Sequence, residues 1–125
     1  MEIMRNLIHT DLSLIKEFRD EAISLLKTLD YDEDTIFKVR LILDELIINS
    51  YKHGNNKEFD KLIDVIMLID DNNCMIKVTD EGEGIYYKRP SDQLSDHGRG
   101  IHLVKTLADN LLVVDNTVVA FLALA

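Results

Sequence analysis

Apolar and polar positions along this chain repeat first with a strand's period and then with a helix's, and each change of period marks an element. MEIMRNLI at the start reads as a short edge strand. From about Asp11 to Leu29, the residues Ile15, Phe18, Ala22, Leu25 and Leu29 recur at helical spacing, with Thr10 placed to cap the start. The segment DYDEDT breaks that pattern and supplies carboxylates to the first turn of a second helix, where the helix dipole favours them. The second helix, about Thr35 to Lys52, is mostly apolar and is expected to stop near HGNN, with Gly54 left-handed. KLIDVIMLID and CMIKVTD flank Asp70, Asp71, Asn72 and Asn73, which predicts an antiparallel hairpin. The apolar pattern then fails from Glu81 to Arg99, around the single proline, Pro90. A loop this long in a compact domain is usually functional or disordered. A helix from about Arg99 to Ala108 follows, with Ile101, Val104 and Ala108 on one face, and LLVVD and TVVAFLAL close the chain as a second hairpin. That order predicts an α+β domain with helices packed on one sheet.

Composition narrows the function classes. A chain of 125 residues, 46% hydrophobic and 30% charged, suits one globular domain spanning 1–125. Its 14 basic and 23 acidic residues give a net charge of −9, which disfavours nonspecific binding to nucleic acid or to an anionic membrane. An anionic ligand would need local help from helix termini, a few cations or a metal. The single cysteine, Cys74, rules out an intramolecular disulfide and a cysteine-built metal cluster, as expected in reducing cytosol. MEIMRN lacks the features of a signal peptide, and the apolar run TVVAFLALA is too short for a membrane-spanning helix, so a cytoplasmic protein is expected. His9, His53, His97 and His102 show no zinc-ligand spacing.

Three stretches carry candidate chemistry. At about 100° per residue, Glu45, Asn49 and Lys52 on the second helix project within roughly 60° of one another. They form a polar stripe between apolar neighbours, Leu41, Ile42, Leu46 and Ile48. That stripe is either a second wet edge of the helix or the lining of a cavity. In the strand before TDEGEGI, Cys74, Ile76 and Val78 share one face, and period two places Asp80 on it as well. Either the strand has ended there, or a carboxylate lies near the core and needs a donor such as a ligand amine. Gly82 and Gly84 would let the chain pass close to that ligand. In HGRGIHLV, glycines open a helix whose exposed N–H groups suit phosphate.

An acid and an amide at i, i+4, then DxGxG after a strand, then a variable loop and GxG opening a helix, resemble the N box and glycine boxes of the Bergerat-fold ATPases. That superfamily includes gyrase, heat-shock protein 90, histidine kinases and the mismatch-repair ATPases. LILDELIINSYKHGN, VTDEGEGI and GRGIHLVKTLAD look most like the small bacterial anti-sigma factor serine kinases, single domains of about this length. The resemblance covers essentially the whole chain. It implies a two-layer sandwich with a mixed, mostly antiparallel sheet and three helices on one face. It implies ATP and Mg2+ as cofactors, with Asn49 holding the metal and Glu45 as general base. Lys52, with His53 close by, would meet phosphate. Asp80 would accept the adenine amino group, with Gly82, Gly84, Ile85 and Thr117 shaping that side of the pocket. Gly98, Arg99 and Gly100 would close onto the phosphates, with the segment Ile85 to His97 as a lid. The chain lacks a Walker lysine motif, so a P-loop is excluded. It departs from the family pattern at Asn116–Thr117, where Gly-Thr is usual.

The function implied is a serine kinase that sequesters a sigma factor and is released by an anti-anti-sigma partner of the STAS type, which it phosphorylates. A homodimer is implied by the same resemblance. The alternatives are a histidine-kinase catalytic domain, which needs an upstream phosphoacceptor helix pair, and a non-catalytic nucleotide-dependent switch.

Overall fold

The computed structural model describes residues 1–82 and 103–124. Strand β1 (Glu2–His9) leads into helices α1 (Leu12–Thr28) and α2 (Glu33–Asn49), then a π-helical turn (Ser50–Gly54). Strands β2 (Leu62–Ile69) and β3 (Asn73–Thr79) follow, and β4 (Asn110–Val114) and β5 (Thr117–Ala123) end the chain. Residues 103–107 are helical; the expected start of that helix, with Ile101, lies outside the described residues.

Local chemistry sets the helix boundaries, and it moves several of those expected from sequence. Asp11, rather than Thr10, caps α1: its carboxylate accepts the N–H groups of Ser13 at 2.8 Å and Leu14 at 3.1 Å. Such a cap is worth about 1 kcal/mol. Thr10 is instead buried and donates its hydroxyl to the Lys61 carbonyl at 2.8 Å. Ile15, Phe18 and Ala22 are buried as the periodicity implied, but the last turn buries Leu26, and Leu29 is the C-cap. Helix α2 starts at Glu33, earlier than expected, because Asp32 caps it by accepting the Thr35 N–H at 2.7 Å. It does not stop on a left-handed Gly54. The backbone widens into the π turn, closed by Asn55 N–H donating to the Ser50 carbonyl at 2.7 Å. The left-handed residues come later, at Asn56 and Lys57.

The five strands run in the order β1-β2-β3-β5-β4, and every pairing is antiparallel, where a mixed sheet was expected. Both hairpins occur where the turn residues foretold them. Alternation sends Ile63, Val65, Met67 and Ile69 of β2, Cys74, Ile76 and Val78 of β3, and Val118, Ala120 and Leu122 of β5 into the core. They meet Phe18, Ala22 and Leu26 of α1 and Val39, Ile42, Leu43, Leu46 and Ile47 of α2, with Val104 joining from residues 103–107. Burial holds the Cys74 thiol up at about 12, so it packs as a small apolar group with no reactive thiolate. The fold is the α+β sandwich expected, with α2 packed against β3.

Candidate functional site

The C-terminal end of α2 and the C-terminal end of β3 bring the candidate residues together. On α2, Glu45 is half-buried and Asn49, one turn on, is 3% exposed. Burial raises the Glu45 carboxyl above its ordinary value, neighbouring Asp44 adds to the rise, and Lys52 opposes it. Asp44 itself lies 3.6 Å from Arg19 and 3.9 Å from Arg40, away from that stripe. Among the described residues the buried Asn49 amide nitrogen has no hydrogen-bond partner. A donor left in that state costs about 1–3 kcal/mol, so it calls for a partner from outside them, such as water, an ion or a ligand. The polar stripe is therefore no wet edge at Asn49. Lys52 and His53 fall in the π turn, Lys52 exposed and His53 half-buried. π turns recur at functional sites because they re-aim the side chains that follow.

Asp80 meets both readings of the sequence, since β3 ends at Thr79 and yet Asp80 is 3% exposed. Its carboxylate accepts the Gly82 N–H at 2.8 Å. Its backbone is clamped by Asn116: the Asp80 N–H donates to the Asn116 carbonyl at 3.1 Å, and the Asn116 side-chain amide donates to the Asp80 carbonyl. The residue that departs from the family's glycine thus braces the turn that carries Asp80. The left-handed position of that hairpin is taken by Asp115, with φ 52°. Thr117, cross-strand from Thr79, has its hydroxyl 3.0 Å from the Thr79 hydroxyl.

Gly82 also makes a close approach within the protein itself. A Cβ there would sit 2.4 Å from the Gly54 carbonyl oxygen and 2.8 Å from its Cα. The close approach is to the backbone at the end of the π turn, so this glycine locks the Asp80 turn onto the helix bearing Asn49. Gly84, Ile85, Gly98, Arg99, Gly100 and the expected lid, with Tyr86, Tyr87 and His97, lie outside the described residues.

One residue escaped the sequence reading. Asn55 is fully buried at the junction of these two segments, and its side chain bonds to Thr10, Leu62 and Glu81. In the sequence it is one of two asparagines after a glycine, which signals only a turn. Among the described residues no group of acidic, histidine or cysteine side chains could hold a metal on its own. A hard cation here could take the Asn49 amide oxygen as one ligand, with further oxygens from elsewhere.

A buried amide one turn after a half-buried carboxylate thus lies on the helix whose π-turn end meets the braced Asp-x-Gly turn at Gly54 and Gly82. Residues 8–121 match the histidine kinase-like ATPase domain, and the chain belongs to that family. Within it, the chain is similar to anti-sigma F factors. That of Clostridium botulinum (strain Alaska E43 / Type E3) is 29% identical over 119 residues, covering 82% of each chain. That of Geobacillus stearothermophilus is 23% identical over 124 residues, covering 88% of this chain and 84% of its own.

Proposed function

We propose that this protein binds ATP with Mg2+, phosphorylates a serine of a STAS-type anti-anti-sigma protein, and sequesters a sigma factor in the cytoplasm. The observation that carries the reading is the buried Asn49 amide, whose nitrogen has no partner among the described residues, one turn after the half-buried Glu45. Membership of the ATPase family and the anti-sigma F relatives support it. No helix among the described residues is long and apolar enough to cross a membrane.

In this reading the Asn49 amide oxygen holds the metal, which, when bound, neutralises charge on the phosphates. Lys52, His53, Gly98, Arg99 and Gly100 surround the phosphates, and Asp80 accepts the adenine amino group beside Gly82, Gly84, Ile85 and Thr117. The acceptor serine oxygen forms a bond to the terminal phosphorus as the bond to the bridging oxygen breaks. Glu45 takes the hydroxyl proton. With the purified partner and labelled ATP, the label should reach the partner as an acid-stable phosphoester, while this chain stays unlabelled. An acid-labile, base-stable label would indicate phosphohistidine and the histidine-kinase alternative. Tight ATP binding without transfer would leave a non-catalytic switch.

The homodimer implied by the family has a suitable surface in the sheet face away from the helices. Ile3 and Leu7 of β1, Leu112 and Val114 of β4, and Phe121 of β5 are exposed there, and Ile66, Leu68, Met75 and Val119 fill the space between them. Arg5, Asp64 and Lys77 share that face, the first two as an ion pair at 3.0 Å, so the apolar patch is bordered by charge as interface rims are. Sedimentation should give a dimer that Phe121→Asp converts to monomer; a monomeric wild type would refute a dimer through this face.

A further inference from the structure

We infer that Asn55 is a positioning residue that keeps the two halves of the nucleotide site, the Glu45–Asn49 helix end and the Asp80 turn, in register. The inference rests on the nucleotide reading above and concerns how that site is held together. Asn55 is 0% exposed, and all of its polar groups are used. Its backbone N–H donates to the Ser50 carbonyl at 2.7 Å, and its carbonyl accepts the Glu58 N–H at 3.0 Å. Its side-chain nitrogen donates to the Thr10 hydroxyl at 2.9 Å and the Leu62 carbonyl at 3.0 Å. Its side-chain oxygen accepts the Glu81 N–H at 2.8 Å. The residue that ends the π turn is therefore bonded to the end of β1, the start of β2 and the residue directly after Asp80.

The network fixes the amide's orientation. The Leu62 carbonyl can only accept, so it requires the nitrogen; the Glu81 N–H can only donate, so it requires the oxygen. Thr10 gives its own proton to the Lys61 carbonyl, which leaves it to accept from Asn55. An aspartate at this position would set oxygen against oxygen at Leu62 and bury a charge. Two further contacts close the same seam: the Glu81 carboxylate accepts the Leu62 N–H, and Gly82 lies against Gly54 with no side chain between them. Asn49 and Asp80 thus stand on opposite sides of a seam that Asn55 fastens. ATP has to engage both sides at once, whereas adenosine engages only the Asp80 side.

Calorimetry with Mg-ATP and NMR titration with adenosine, on wild type and Asn55→Ala, which removes the acceptor of the Glu81 N–H, test this division. Losing a buried bond of this kind should raise the Mg-ATP Kd by more than about tenfold while adenosine weakens by less than about threefold. Should Asn55→Ala fail to fold, Thr10→Val, which removes one acceptor that orients the same amide toward the Glu81 N–H, should give the same division at smaller size. Equal weakening of both ligands would overturn the inference, because Asn55 would then shape only the Asp80 turn. So would unchanged Mg-ATP affinity in a folded variant of lowered Tm, which would make Asn55 a stability residue alone. Absence of Mg-ATP binding in the wild type would instead remove the nucleotide reading itself.

Discussion

Glu45→Gln should bind Mg-ATP as wild type does and transfer phosphate to the partner roughly 10²–10⁴-fold more slowly, the usual worth of a general base. In the proposed reading the base acts on the acceptor hydroxyl, so the nucleotide contacts assigned there to Asn49 and Asp80 would be untouched. The pH dependence gives an independent check. Burial holds the Glu45 carboxyl above its ordinary value, so wild-type transfer should rise with pH through that raised value, where the carboxylate becomes available. The variant's residual rate should lack that rise. Stability should move the other way. Between the unfolded and the raised folded value the native state binds more protons, so Glu45 lowers stability as pH climbs through that window. Glu45→Gln should therefore raise the Tm of the ligand-free protein at neutral pH and leave it unchanged well below the window. Comparable turnover in the variant would show that Glu45 is structural.

Much of this fold could be read from one sequence because its elements bury one face each. The period-two strands β2 and β3 and the apolar face of α1 needed no more than counting. The same alternation carried Asp80 into the core, and i, i+4 spacing brought Glu45 and Asn49 onto one helix face. What escaped was set by long-range hydrogen bonds. Thr10 and Asp11 are both good caps, and only the pull of the Lys61 carbonyl on Thr10 decides between them. Gly82 looks like a local turn glycine, yet the reason for its lack of a side chain is the Gly54 backbone, 28 residues earlier in the chain. Asn55 and Asn116 have partners 7–45 and 36 residues away in the chain, and no local pattern encodes such a distance. The backbone around Lys52 departs from the expected helix for a similar reason. An ideal helix was extended through Ser50, where the backbone in fact widens into a π turn.

Asn49→Leu should separate function from stability most sharply, because the two effects have opposite signs. A leucine of similar size cannot offer an oxygen to Mg2+ or a donor to phosphate, so Mg-ATP affinity should fall by more than about 100-fold, as expected when charge-assisted contacts worth about 1.5–3 kcal/mol each are lost together. The ligand-free protein should nevertheless become more stable. In the wild type the buried Asn49 amide nitrogen has no partner among the described residues, and Leu46 and Ile47 on the same helix are almost fully buried. Replacing that donor with an apolar group removes a penalty of about 1–3 kcal/mol. A chain of this size should respond with a rise in Tm of several degrees. Such a trade is what a binding residue held for its ligand implies: its cost is carried by the empty protein and recovered only in the complex. Thermal melts of both proteins with and without Mg-ATP read the two effects at once. The wild type should gain Tm on adding nucleotide, and the variant should start higher and gain nothing. If Asn49→Leu instead lowers the ligand-free Tm, the amide has a partner in solution that stabilises the empty fold, and Asn49 can no longer be assigned to the nucleotide on the strength of its burial.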